Sequence, residues 1–448
     1  MKASRKLAPV TVLGALLAFA TGGAALGLAQ APAPGPTVSP APVAPSRAPS
    51  TTTLPASTVP PPAPSLRLSA IAFFDPEHGY AYFTRTDGGN CTSLVGPTND
   101  GGADFSSLVV VTSWPCDETA PATSLAFDDH GDGFLYGPGL FVTHDGGATW
   151  SPSDQPSQVL SVQALGESVW MVEAGCPAIG PHSPCPTGLL ESSDGGRTWA
   201  PSPSLPTGAD APSSGEPALG QTWLVRLSEL SAYLLANLGP VNGTTDLRLW
   251  FTGDGGASWV PRMSPCTGSP ALSAVLSAAP DGTLWAVCAG EPSTGYQGKA
   301  VALSSDGGRT WATQANCLYV PPRVPPGCEA LDFGYLGQVD AVSSTRAFLA
   351  GGRLPLLVTD DGGRRWVTTV PVLGDSGGGT GPVVIFDPAD GFLLGDDPNN
   401  DEVPTLWVTA DGADSGPPSC PAPREPPPPR PRAQVRATCP PVPPCSPR

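Results

Sequence analysis

The chain has 448 residues and a formal net charge of −17. That charge sits in the middle, where residues 66–416 hold 13 basic and 38 acidic side chains, and a surface of that sign excludes nucleic acid as a partner because nucleic acid demands a basic footprint. The four histidines, His78, His130, His144 and His182, stand apart without metal-ligand spacing.

In chain order, Lys2, Arg5 and Lys6 precede an apolar stretch from Leu7 to Leu28 and the small residues around Ala29. This reads as a secretory signal over residues 1–29, cut after Ala29. The alternative is an uncleaved anchor, since 22 mostly apolar residues suffice to span a bilayer. No cysteine follows directly, which argues against a lipid anchor of the bacterial kind. Residues 30–65 are rich in Pro, Ala, Ser and Thr, with twelve prolines from Pro32 to Pro64, and form a semi-extended linker. The expected location is therefore secreted or at the cell surface, with membrane contact only through an uncleaved first segment.

A motif of about eight residues then returns seven times, each time after an apolar run. It begins with Thr98-Asn-Asp100-Gly-Gly and recurs around Asp145, Asp194, Asp254, Asp306, Asp361 and Asp411. Five copies end in tryptophan, at Trp150, Trp199, Trp259, Trp311 and Trp366; the first ends in Phe105 and the last decays to Gly416. Asp-Gly and Gly-Gly suit a tight reversal, because glycine takes positive φ freely and the carboxylate accepts nearby backbone N–H groups. The Ser or Thr two places earlier adds a local bond, and the ring supplies area to pin the turn against a neighbour. Strands precede the motif at Leu140–Val142, Leu249–Phe251, Leu356–Val358 and Leu406–Val408. All seven aspartates are read as structural, since a catalytic group is not needed seven times at one position.

Successive motif aspartates stand 45, 49, 60, 52, 55 and 50 residues apart. A period near 50 fits one four-stranded propeller blade. Another unit, Ile71-Ala-Phe-Phe-Asp75 through Gly79-Tyr80, returns at Leu125–Phe134 and Val384–Phe392. The expected fold is all-β: a single seven-bladed β-propeller over residues 66–416, with the motif on each c–d turn, flanked by disordered Pro-rich segments. The last motif is defective and Pro417-Pro418 follows it, so the outer strand of the seventh blade is expected to come from Ser50 to Val59, pairing with Leu406 to Thr409.

Eleven cysteines on an exported chain imply disulfides rather than zinc. Local pairs are expected between Cys91 and Cys116, Cys176 and Cys185, Cys266 and Cys288, and Cys317 and Cys328. Residues 417–448 form a Pro-rich tail that carries Cys420, Cys439 and Cys445 and five arginines against the single acid Glu425. Its functional reading is attachment to anionic envelope polymer.

The repeated motif resembles the Asp-box, or bacterial neuraminidase repeat, S/T-x-D-x-G-x-T-W. Resemblance to sialidases would imply three arginines on a sialic-acid carboxylate, a Tyr-Glu nucleophile pair and an acid/base aspartate. The family's early (Phe/Tyr)-Arg-Ile-Pro motif is missing; the nearest string, Arg353-Leu354-Pro355, falls in the sixth blade. Xyloglucan-cleaving hydrolases carry such boxes on paired propellers, for which the chain is too short. The blades are also similar to those of photosystem II stability and assembly factors, as in Gly391-Phe-Leu-Leu-Gly395 and the box at Thr359.

Boxes on c–d turns project from one face of the disc, so binding residues belong on the opposite face, where the b–c and d–a connections emerge, and at the channel mouth. Gly374-Asp375-Ser376-Gly377-Gly378 looks like a chymotrypsin-type nucleophile but has no supporting histidine segment, and reads as a d–a loop. Asp396, Asp397, Asp401 and Glu402 cluster in a b–c loop and offer the oxygen ligands calcium takes, without EF-hand spacing; no other cofactor is expected. The reading is an exported non-catalytic module that binds an envelope or extracellular protein or glycan. The alternative is a sialidase-like glycoside hydrolase.

Overall fold

The structure, a computed structural model, describes residues 65–410 apart from 106, 129, 154–157, 175–186, 203–221, 242–243, 268–269, 319–325, 370–379, 388–389 and 398–399. The signal, the linker with its expected closing strand, Cys176, Cys185, the Gly374–Gly378 string, Asp411 and the tail lie outside them.

Each of the six described boxes builds the same turn. The Ser or Thr hydroxyl donates to the aspartate Oδ1 at 2.7–3.0 Å and accepts the N–H of the second glycine at 2.8–3.0 Å. The same Oδ1 takes the N–H four residues on, at 2.8–3.0 Å. Both glycines hold φ between 68° and 85°, the left-handed region where a Cβ is strained.

These turns join the third and fourth strands of successive antiparallel sheets. Blade 1 is β1 (Ser65–Phe73), β2 (Gly79–Asp87), β3 (Asn90–Thr98) and β4 (Val109–Pro115); blade 2 is β5 (Ser124–Phe127), β6 (Gly133–Tyr136), β7 (Leu140–Thr143) and β8 (Ser151–Pro152). Blade 3 is β9 (Val159–Leu165), β10 (Ser168–Ala174), β11 (Thr187–Ser192) and β12 (Ala200–Pro201); blade 4 is β13 (Thr222–Arg226), β14 (Ala232–Val241), β15 (Thr244–Thr252) and β16 (Val260–Arg262). Blade 5 is β17 (Ser273–Ala278), β18 (Leu284–Ala289), β19 (Lys299–Ser304) and β20 (Ala312–Asn316), followed by a four-residue helix α1 (Glu329–Asp332). Blade 6 is β21 (Gln338–Ala341), β22 (Ala347–Gly351), β23 (Leu354–Thr359) and β24 (Val367–Thr368); blade 7 is β25 (Thr380–Ile385), β26 (Asp390–Asp397) and β27 (Asn400–Ala410). Each sheet runs in a-b-c-d order, and the seventh has three strands among the described residues.

The register exposes a repeat that sequence spacing showed only in part. In every b strand one residue faces the box Ser or Thr, as in Gly79 with Thr98 and Leu284 with Ser304, and the next residue is aromatic in all seven blades: Tyr80, Phe134, Trp170, Tyr233, Trp285, Phe348 and Phe392. Each box leans on this ring of the preceding blade. Trp199 meets Phe134 edge-on, Trp259 meets Trp170, and Trp366 meets Trp285 at a centroid distance of 6.4 Å. Burial differs from the expected anchor role. Trp366 is buried, whereas Trp150, Trp199, Trp259 and Trp311 are half-buried; of the b-strand rings Phe134, Trp285 and Phe348 are fully enclosed and Tyr80 is half-buried.

Inner strands are tied in the other direction around the ring. Gln163 of β9 bonds the backbone of Leu224 and Arg226 in β13, Ser277 of β17 accepts Ala341 N–H, and Gln338 of β21 bonds both backbone groups of Val383 in β25. An inner strand has no neighbour on its channel side, so these side chains satisfy groups that would be left unpaired. The ring closes by packing: Phe73 stacks on Phe392 at 3.7 Å within a cluster that includes Leu68, Ile71, Leu394 and Leu406.

Three expected cysteine pairs are bonded: Cys91 to Cys116, Cys266 to Cys288, and Cys317 to Cys328. Among the described residues, no helix is long and apolar enough to cross a membrane.

Candidate functional site

The box carboxylates are committed to their turns. Bonds from Thr149 and Thr143 bring Asp145 down to about 2, and bonds from Thr198 and Ser192 do the same for Asp194. Asp254 and Asp306 are lowered by the matching Ser258 and Thr310 contacts. An acid held ionised by four acceptor contacts has no proton to give at neutral pH.

Other titratable groups also answer to structure. His144 Nδ1 lies 2.8 Å from Asp132 Oδ1 above an open cleft of about 410 Å³ lined by Arg197, Trp199 and Thr149. The same two positions in blade 6 hold a matching pair with the carboxylate on the other turn, Arg346 to Asp360 at 2.6 Å, so this contact fastens the a–b turn to the c–d turn. Arg197 donates to its own box carbonyl at Asp194, as Arg309 does to Asp306 and Arg364 to Asp361. Asp75, Glu77 and His78 place ligand atoms within 4.8 Å of one another, but Asp75 Oδ1 is taken by the N–H groups of Glu77 and His78. In the channel, burial pushes Asp340 up to about 7 although its carboxylate accepts Ile385 N–H across to blade 7. Asp396 and Asp397 end β26, paired with Pro404 and Asn400, and Asp401 and Glu402 lie within β27 at the register shift between those two pairs.

One surface departs from the repeat, and it lies on the face opposite the boxes. Three connections meet there: the b–c segment 290–298 of blade 5, residues 326–337 of the d–a connection, which carry α1, and the b–c turn 352–353 of blade 6. Their backbones are stitched together. Gly334 N–H donates to Gly295 O, Tyr335 N–H to Gly352 O, and Gln297 N–H to Asp332 O. Tyr335 Oη accepts Gly295 N–H and donates to Ser293 O, while Gln297 Oε1 accepts Leu336 N–H and its amide donates to Gly290 O.

Beneath them Lys299 is fully buried, with Nζ at 2.8–3.2 Å from the carbonyl oxygens of Gln297, Leu331, Phe333 and Gly334. Burial draws this ammonium down to about 7, and Asp332 acts in the opposite sense. The Cys317–Cys328 bond and buried Leu331 seat α1 in the core shared by blades 5 and 6.

On top of this frame the large rings face out. Tyr296 is 52% exposed and Phe333 36%, with centroids 5.8 Å apart and planes at 86°. Exposed Arg353 follows in the blade 6 turn at φ 54°, a left-handed conformation that costs a side chain roughly 1 kcal/mol and that glycine adopts freely. Glu291 and Glu329 are exposed on the same segments. An edge-to-face ring pair with a cation beside it offers an apolar contact and an anion partner on a rigid base. The face was expected from topology; Tyr296, Phe333 and Lys299 were not, because they stand in insertions with no repeat signal. Arg353 was noted only for its distant likeness to an arginine motif.

No family model matches the chain, and no curated protein matches it. Among solved structures, YCF48 bound to D1 peptide is similar at 19% identity and a TM-score of 0.44, covering 78% of this chain and 96% of that one. An ulvan lyase follows at 12%, 0.43, 76% and 91%, and a Hadza microbial sialidase at 13%, 0.40, 77% and 66%. Both binding proteins and polysaccharide-cleaving enzymes thus stand among the similar chains, and likeness at these values does not choose between them.

Proposed function

We propose that this chain is an exported, non-catalytic propeller that binds a protein or glycan at the cell surface or outside the cell, with the Tyr296–Phe333–Arg353 surface as its ligand site. The observation that supports it is the exposed ring pair, held over the buried Lys299 cage and a disulfide while the carboxylates of the boxes are bound into turns. The basic and apolar first 29 residues and the bonded cysteine pairs support export.

A glycan array and a pull-down from envelope protein test the reading, each with the wild type and with Tyr296→Ala and Phe333→Ala. Binding lost in both variants, with melting unchanged, supports the site. Turnover of a fluorogenic sialoside panel would favour a glycoside hydrolase instead. The function proposed needs no cofactor. Calcium would be sought at Asp396–Glu402, and a melting temperature unmoved by chelator is the expected result.

A further inference from the structure

We infer that the cleft between blades 2 and 3, on the box face, is a second ligand site, and that it takes a neutral saccharide such as the end of a glycan chain. It stands apart from the Tyr296–Phe333 surface and does not depend on it.

Pairing register places two equivalent residues of one blade beside the box of the next. In blade 4 they are Phe251, just before the box Thr, and Arg262, which opposes Leu249. Arg262 lies over the Phe251 ring at 4.9 Å, and its Nε donates to Gly307 O of the blade 5 box at 3.0 Å, so that seam is filled. In blade 3 the same positions hold Glu191 and Ser202, and the Glu191 carboxylate lies against Gly256 of the next box. In blade 2 they hold Val142 and Ser153, the latter opposing Leu140. Neither of these side chains is long enough to cross to the blade 3 box, and the space that Arg262 or Glu191 takes elsewhere is the cleft of about 410 Å³. Sites for small ligands run from roughly 300 to 1,000 Å³, and this one has room for a sugar ring or two.

The lining answers to hydroxyl groups. His144 is held through Nδ1 by Asp132 at 2.8 Å, which leaves Nε2 as an acceptor in the neutral ring and a donor in the charged one; a sugar hydroxyl satisfies either. The other described boxes have Asn99, Ser193, Gly253, Ser305 and Asp360 at this position. Arg197 is fixed by its bond to Asp194 O at 2.7 Å and stands 3.7 Å from Asp132, so its remaining N–H groups are positioned donors. Thr149 gives its proton to Asp145 Oδ2 at 2.7 Å and keeps lone pairs to accept. Val142, Pro152 and Trp199 supply apolar wall for the C–H faces of a pyranose.

Charge selects against an anion. Asp132 and Asp145 offset Arg197 and a protonated His144 around the cleft, and residues 66–416 hold 38 acids against 13 bases, so an acidic ligand is repelled.

The test is saturation-transfer NMR on the full chain with the methyl glycosides of glucose, galactose, mannose, rhamnose and N-acetylglucosamine. Each is used at about 10 mM, since a ligand of that size binds on the order of millimolar. Transfer to at least one glycoside is expected. Ser153→Arg, which restores the filling of blade 4, should abolish that signal with melting unchanged, while Tyr296→Ala and Phe333→Ala should keep it at the wild-type level. No transfer to any of the five, a signal undiminished in Ser153→Arg, or a signal lost in the Tyr296 or Phe333 variant would overturn the inference. Transfer to sodium acetate in preference to every glycoside would overturn the neutral class of ligand. Should Ser153→Arg not fold, Arg197→Met takes its place, with binding expected to weaken about tenfold, as loss of a hydrogen bond from a charged group does, and unchanged binding counting against the site. The Tyr296 surface has its own array and pull-down, so either site can fail alone.

Discussion

Trp285→Ala and Trp311→Ala should differ in cost, although both residues belong to the propeller's repeated aromatic positions. Trp285 is fully enclosed, bonds Ser343 O through Nε1 at 2.9 Å, and packs with Val275, Val301 and Trp366 in the core between blades 5 and 6. Burying about 200 Å² of indole at about 25 cal/mol per Å² gives roughly 5 kcal/mol, and a compact unfolded state brings that to about 4. Trp311 is half-buried, with its Nε1 bonded to Met263 O, and the same reasoning gives about 2 kcal/mol. Equilibrium urea unfolding followed by far-UV circular dichroism reads the difference. With a slope of about 3 kcal/mol per molar, the midpoint should fall by about 1.3 M for Trp285→Ala and about 0.7 M for Trp311→Ala. A box variant as damaging as the b-strand variant would refute the claim that the buried ring of strand b carries the blade interface.

Gly363→Ala should be far more damaging than Gly282→Ala: both hold φ above 80°, but a Cβ at 363 would stand 2.7 Å from Val301 and 3.0 Å from Trp285, while at 282 it meets nothing. Urea midpoints check this, with about 1 kcal/mol expected at 282 and more at 363. Because the folded state depresses Asp145 and Asp194 from 3.8 to about 2, their contribution is fully present above pH 4 and lost as pH falls towards 2. Melting temperature should therefore drop across that window, less steeply in Asp145→Asn with Asp194→Asn, and a flat wild-type profile would count against the turn geometry. If residues 50–59 complete the seventh blade, deleting 50–60 lowers the melting temperature and deleting 32–45 does not; equal melting would reject that source of the outer strand.

The boxes were legible because every bond that makes them is local, from Thr98 to Asp104 and its equivalents, so spacing within eight residues carries the whole signal. Blade order followed from their period. The ring of b-strand aromatics was seen at Tyr80, Phe134 and Phe392 but not at Trp170, Tyr233, Trp285 and Phe348, since insertions shift these positions against one another and only pairing register realigns them. The candidate site was the least legible part. Its bracketing cysteines, Cys317 and Cys328, were read, yet nothing in a single lysine codon position announces that Lys299 will be surrounded by four carbonyl oxygens drawn from residues 297 to 334.

The directional packing of the boxes has a bearing on how the polypeptide is made. Because each box rests on the aromatic of the blade before it, a ribosome delivers every new blade to a surface that already exists, and assembly can proceed in the order of synthesis. Blade 1 is the exception. Its box glycine Gly102 would carry a Cβ 2.3 Å from Leu406 of the last blade, and Phe73 stacks on Phe392, so its flank stays bare until some three hundred further residues have emerged. That flank, rather than any later seam, is where a chaperone or an early truncation would act on the nascent chain.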